Sequence, residues 1–339
     1  MKNAFRSRLV RLATVLVVLV IAGELIARLI GAEPAYVRSG RIRRACGCRE
    51  LRIQHAPPGM DSSVRYCINR LGLRGKVLPD ELHTRIITLG NSTTECAYID
   101  DAAAWPHLLD CELIVEGFDV WVGNAGVNGT STRGNAIFLE DHLLDLRPDI
   151  VLFMPGAADR GRISMKQEAG LLVPEHLSLP QWFMENSRLI GSTVRLIQAR
   201  EPRTIDWSTF AGQPTSPDTA RMRGGRVPLT EHEVYVAGYA ERLAHIADLC
   251  ASRKVRLLLM TQPILAEDSS DTRRIMERYN TATKALAQAR GLPLFDLASA
   301  LRQDPAYYLD GIHFSNSGAA EVARLVTPFV REGLRRAGH

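Results

Sequence analysis

The chain lacks the patterns that metal, nucleotide and nucleic-acid chemistry require. Among its six cysteines, Cys46-Gly47-Cys48 is too close-spaced for a zinc knuckle, and no Cys/His pair follows at finger spacing. His107, His142, His176, His232 and His245 are scattered without ligand spacing. No metal and no cofactor are therefore expected. The glycines of Gly123–Gly129 have neither the lysine of a phosphate loop nor a Gly-x-Gly-x-x-Gly pattern, which argues against a nucleotide site. No internal repeat is visible. The net charge is only +5, and many basic residues lie between Arg6 and Arg52. A nucleic-acid partner calls for a basic patch on a folded surface with stacking aromatics. Here the basic residues flank an apolar segment, so anionic lipid headgroups suit them better and no nucleic acid is expected.

What the chain has is an ordinary globular composition, 46% hydrophobic and 23% charged over 339 residues, enough for a sizeable core. Residues 1–11 form a basic tail with Lys2, Arg6, Arg8 and Arg11. Leu12 to Gly23 carries no charge, and the run continues through Glu24 and Arg28 to Ile30. This span, 12–30, is about the length a helix needs to cross a bilayer. Glu24 and Arg28 are one turn apart and can pair. The expectation is a transmembrane anchor. The alternatives are a cleaved signal peptide, for which Ile30-Gly31-Ala32 is a weak site, and a soluble core helix. Arginines on both sides leave orientation undecided by charge. With so short a tail, the expectation puts it in the cytoplasm and the bulk of the chain on the extracytoplasmic side.

Residues 31–84 read as a juxtamembrane stalk with little regular pattern, marked by Pro34, Pro57 and Pro58 and by the turn-rich string Asn69–Gly75. In an oxidising compartment Cys67 can pair with Cys46 or Cys48, the alternative being free buried thiols, and the sequence leaves that choice open. From Arg85 to about 335, strands and helices alternate. Predicted strands are Ile86–Leu89, Val120–Val122, Ile150–Met154, Arg256–Met260 and Leu294–Asp296. Ile150–Met154 is continuously apolar, as in a parallel strand buried on both faces. Residues 160–230 break the rhythm with prolines and a Gly224-Gly225 pair, and read as a partly helical, lid-like insertion. The alternation predicts a doubly wound parallel sheet with helices on both faces.

Three features sit at strand ends, where open α/β sheets bind ligands. Gly90-Asn91-Ser92 follows the first strand, and a serine there is either a helix cap or a nucleophile. Asn124-Ala125-Gly126 follows the second, and a backbone N–H there suits a developing oxyanion. Asp310-Gly311-Ile312-His313 sets a carboxylate and an imidazole three residues apart, spaced for a base and its orienting partner.

These blocks resemble the SGNH (GDSL-like) hydrolase family over about Arg85 to Val322. Gly90-Asn91-Ser92 matches the block with the nucleophilic serine, Asn91 standing for the usual aspartate. Gly126 matches the oxyanion-hole glycine, and Asp310 and His313 match the Asp-x-x-His block. The family's Gly-x-Asn-Asp block appears as Gly156-Ala157-Ala158-Asp159, so Ala158 replaces the oxyanion asparagine, with Asn128 or Asn124 as candidate substitutes. The resemblance implies a three-layer α/β/α sandwich, flavodoxin-like, with a central parallel sheet. It also implies a membrane-anchored serine esterase with a Ser92–His313–Asp310 triad and an oxyanion hole from the N–H groups of Ser92 and Gly126. The expected substrate is an acyl or acetyl ester, on a small molecule or an envelope glycan. Two alternatives use the same cleft: a weakened or inactive protein that binds a glycan or envelope partner, and an O-acyltransferase.

Overall fold

The computed structural model describes residues 2–32, 34–79, 84–156, 158–159, 171–173, 177–209, 229–265 and 270–336. Helix α1 (Lys2–Leu29) is followed by four short strands, β1 (Tyr36–Ser39), β2 (Ile42–Ala45), β3 (Gly47–Gln54) and β4 (Ser63–Ile68). Strand β5 (Thr84–Gly90) leads through the four-residue helix α2 (Ser92–Glu95) to α3 (Trp105–Val115). Then come β6 (Val120–Gly126), α4 (Thr132–Asp141) and β7 (Ile150–Met154). Helices α5 (Leu179–Asn186) and α6 (Arg188–Arg200) precede β8 (Arg203–Asp206) and α7 (Leu229–Ser252). The chain closes with β9 (Arg256–Met260), α8 (Ser270–Arg290), β10 (Leu294–Phe295), α9 (Leu297–Ala300) and α10 (Asn316–Arg335).

Five strands form one parallel sheet in the order β10-β9-β7-β5-β6. Its centre is apolar on both faces because both are covered. Ile87, Leu89, Val151, Phe153 and Leu257 face α4, α7 and α8, meeting Phe138, Leu243 and Met276. Ile86, Leu152, Met154 and Leu258 face α3 and α10, meeting Trp105, Leu109, Val322 and Val326. Each such side chain stabilises the fold by about 1.5–3 kcal/mol relative to exposure. This is the expected α/β/α sandwich, and it fixes the strand ends as a rigid platform.

Segment 31–84 departs from the expected patternless stalk. Strands β3 and β4 pair antiparallel, and β3 pairs in parallel with β8, Leu51 opposite Arg203. Ile42 and Leu73 are fully buried. The sequence hid this because the strands are interleaved with arginines whose partners lie far along the chain. Cys48 and Cys67 face each other across β3 and β4 and form the disulfide, while Cys46 stays a buried thiol.

Much of the expected insertion, 160–170, 174–176 and 210–228, lies outside the described residues. Its described part is the α5–α6 pair and β8. Trp182 and Phe183 are exposed, whereas Trp207 is buried. Helix α1 is long and apolar enough over Val10–Leu29 to cross a membrane, and 6% of that stretch is buried against the rest of the protein.

Candidate active site

The end of β5 turns sharply into α2. A Cβ on Gly90 would collide with Thr94 Oγ1, so this approach requires glycine. Asn91 caps the helix: its Oδ1 accepts from the Thr93 N–H at 3.2 Å and the Thr93 hydroxyl at 2.9 Å. An asparagine thus meets the local demand at this position. Ser92 follows, half-buried, with its Oγ 2.9 Å from His313 Nε2. His313 Nδ1 lies 2.7 Å from Asp310 Oδ2.

Asp310 is held from its other side. Its Oδ1 accepts the backbone N–H groups of Ile312 at 2.8 Å and His313 at 2.7 Å. Burial alone would raise its pKa, but the His313 charge and these hydrogen bonds outweigh it and leave the carboxyl below its ordinary value. The loop is closed by Leu309 N–H donating to His313 O at 2.8 Å and tied to the sheet by Leu265 N–H donating to Gly311 O at 2.9 Å. Tyr98 meets His313 edge-on with ring centres 5.6 Å apart, and Trp207 packs on Tyr98 at 5.2 Å. The structure therefore brings together Ser92, His313 and Asp310, residues 221 positions apart at the extremes.

The Gly126 N–H already donates to Asn124 Oδ1 at 2.9 Å. A Cβ on Gly126 would collide with the backbone of Glu95, so this glycine lets β6 lie flush against α2. The expected oxyanion donor, the Gly126 N–H, is thus bonded to Asn124 Oδ1 in the absence of substrate. Asn124 is engaged as well, its Nδ2 reaching Glu95 O at 3.4 Å. Asn128 is exposed, and its Nδ2 contacts Tyr98 Oη at 3.5 Å, beside the ring that meets His313. Of the two asparagines, Asn128 is the exposed one. Ala158 offers no donor. Its neighbour Asp159 is buried and accepts the Thr132 N–H at 3.1 Å and hydroxyl at 2.7 Å, which ties the end of β7 to α4.

The sequence reading missed the support beneath α2. Glu95 is buried: Oε1 accepts from Arg44 Nη2 at 2.8 Å and the Tyr66 hydroxyl at 2.6 Å, and Oε2 from the Asn128 N–H at 2.7 Å. Burial, and then the Glu95 charge, push the Tyr66 pKa up, so the phenol stays a donor. Arg74, also buried, donates to the carbonyls of Glu95, Cys96 and Ile99 and pairs with Asp101 at 2.8 Å. Arg44, Tyr66 and Arg74 all come from segment 31–84. The available signal was a carboxylate three residues after the serine, set against an arginine-rich segment.

Away from the triad, His107, Asp110 and Cys111 hold ligand-type atoms within 4.8 Å of one another. Asp110 is already engaged there by Lys76 Nζ at 2.8 Å and the Val122 N–H at 2.9 Å. A cavity of about 580 Å³ lies beside the disulfide between Arg65, Lys76, His107 and Arg195, away from Ser92. The chemistry, not the volume, marks the site.

Residues 88–321 match the model of the GDSL-like Lipase/Acylhydrolase family. No curated protein matches the chain. Among solved structures it is similar to the lipase/acylhydrolase from Enterococcus faecalis, with 18% identity, a TM-score of 0.46, and coverage of 74% of this chain and 96% of that one. It is also similar to TesA, with 16% identity, a TM-score of 0.47, and coverage of 74% and 99%. Axe2, an acetylxylan esterase from Geobacillus stearothermophilus, is similar at 16% identity, a TM-score of 0.46, and coverage of 75% and 96%. With its family match spanning most of the sequence, the chain belongs to the GDSL-like lipase/acylhydrolase family, whose SGNH blocks it carries with Ala158 in place of an asparagine.

Proposed function

We propose that the protein is a membrane-anchored serine esterase. The observation that carries this is the hydrogen-bonded chain from Ser92 Oγ through His313 to Asp310. Ser92 Oγ attacks the ester carbonyl as His313 Nε2 takes its proton. Asp310 holds the imidazole with Nδ1 protonated and stabilises the imidazolium. His313 then returns the proton to the leaving alcohol, and water attacks the acyl-enzyme by the same route in reverse. The Ser92 N–H serves the oxyanion, and a second donor comes from the turn after β6, with the Asn128 amide as the side-chain candidate.

The hollow beside Ser92, lined by Tyr98, Leu309, His313 and Phe314, holds about 10 Å³, room for about one water. That favours a short acyl group, so an acetyl ester is the proposed substrate. The anchor reading, with the domain on the extracytoplasmic side, makes an envelope carbohydrate the proposed alcohol. Hydrolysis of short-chain nitrophenyl esters by the full chain is the test. Ser92→Ala should lose about 10⁴-fold or more in kcat with folding retained. Equal activity in the variant would refute the proposal.

Ala158 and the engaged Gly126 N–H favour a second reading, a binding protein with weakened catalysis. Failure of Ser92 to react with a fluorophosphonate, together with retained glycan binding, would select it. Transfer to a sugar hydroxyl uses the same groups and is distinguished by product analysis with an acceptor present.

A further inference from the structure

The elbow between α5 and α6 is joined to the last turns of α1. Glu24 Oε2 accepts from the Ser187 hydroxyl at 2.8 Å and the Leu189 N–H at 3.1 Å, and Oε1 from the Arg188 N–H at 3.1 Å. Gly23 faces Leu189 so closely that a Cβ there would lie 2.9 Å from Leu189 Cδ2. Arg188 Nη1 donates to Ala32 O and Arg195 Nη1 to Pro34 O, each at 3.1 Å, so α6 follows the chain as it leaves α1. Glu24 precedes the end of α1 by five residues, roughly 7 Å along the axis. A helix that spans a bilayer and ends there would hold this elbow at the depth of the headgroups.

The two helices carry large exposed apolar side chains. Leu179, Trp182 and Phe183 stand at i, i+3 and i+4 on α5 and share a face, with exposures of 72%, 49% and 45%. On α6, Leu196 and Ile197 are exposed by 64% and 55%. Arg28 and Arg200 are exposed beside them. Apolar side chains with a tryptophan, rimmed by arginine and fixed to the end of a membrane-length helix, match the interfacial zone of a bilayer. A protein partner would account for the apolar face. It would not account for the helix pair that carries the face being hydrogen-bonded to the last turns of α1.

We propose that the α5–α6 elbow is a lipid-contacting surface that dips into the leaflet from which α1 emerges and lays the domain against it; this rests on the anchor reading of α1.

Trp182 provides the test. Of the four tryptophans, Trp105, Trp121 and Trp207 are buried, which leaves Trp182 as the exposed reporter. The full chain would be reconstituted into phosphatidylcholine–phosphatidylglycerol vesicles, with and without brominated acyl chains, after flotation confirms association. The expected result is loss of roughly half of the Trp182 emission on brominated lipid, since an interfacial residue sits within about 5–10 Å of the acyl chains. Trp182→Phe should abolish that quenching. Chains that float without quenching would overturn the elbow proposal and leave the anchor standing. Chains that fail to float would overturn both. Shielding of Trp182 from aqueous iodide only when copies self-associate, with no quenching by brominated lipid, would overturn the proposal in favour of a protein interface.

Discussion

Removing the Glu95 carboxylate should destabilise the fold more than any loss at the protein surface. Glu95→Ala leaves the Arg44 guanidinium, whose side chain is 5% exposed, buried without its counter-charge. It also strands the Tyr66 hydroxyl and the Asn128 N–H. Breaking a buried pair by deleting one partner costs about 3–5 kcal/mol. For a domain of this size each kcal/mol lowers Tm by about 2–4 °C, so the expected fall is roughly 6–20 °C. Glu95 closes the short helix that begins with Ser92, so kcat should fall with it. Thermal unfolding by circular dichroism measures the loss. Combining Arg44→Met with Glu95→Leu should recover part of it, because two apolar groups no longer leave a charge unpaired. A Tm loss equivalent to less than about 1 kcal/mol, or a double variant no more stable than Glu95→Leu, would refute Glu95 as the hub beneath the nucleophile.

The Cys48–Cys67 bond spans 19 positions, and a loop of that size implies about 3 kcal/mol of stabilisation; replacing both cysteines by serine should lower Tm accordingly in thermal melts. Asp310→Asn should cut kcat by about 10⁴-fold through the wrong imidazole tautomer, as measured by steady-state ester hydrolysis. Asp310 has a folded pKa below its unfolded value of about 3.9, so its stabilisation is present above about pH 4 and is lost as pH falls through the folded value. The Asn variant should lose that part of the acid-unfolding profile. Asn128→Ala should lower kcat on the order of 10²-fold with Tm unchanged, whereas Asn124→Ala should lower Tm, because its amide bonds the backbone of Gly126 and Glu95.

The sheet was legible because its strands satisfy a local rule. Ile150–Met154 is a continuous apolar run and Arg256–Met260 carries four apolar residues after its arginine, and both form strands with the predicted limits. The blocks around Ser92, Asp310 and His313 were legible by spacing. The support for Ser92 was not. Arginines such as Arg44 and Arg74 ordinarily signal surface, and only tertiary partners such as Glu95 and Asp101 make their burial tolerable. The pairing of β3 with β8 joins Leu51 to Arg203 across 152 positions, beyond the reach of any periodicity. Gly126 shows a related limit: a motif glycine reads the same whether it frees an N–H or lets backbones touch, and here its N–H meets Asn124 Oδ1 while its bare Cα admits the backbone of Glu95.

Asp310 and His313 share one short loop, closed on itself between Leu309 and His313. His313 and Asp310 therefore keep their mutual geometry even if the loop shifts as a unit, and one long-range spacing, from that loop to Ser92, remains to be maintained. The loop is clasped by Leu265 on the sheet side, while Asn316 just beyond it donates to Gly59 of the N-terminal segment at 3.0 Å. A single local opening at these two clasps would displace Asp310 and His313 together, without unfolding the rest of the domain.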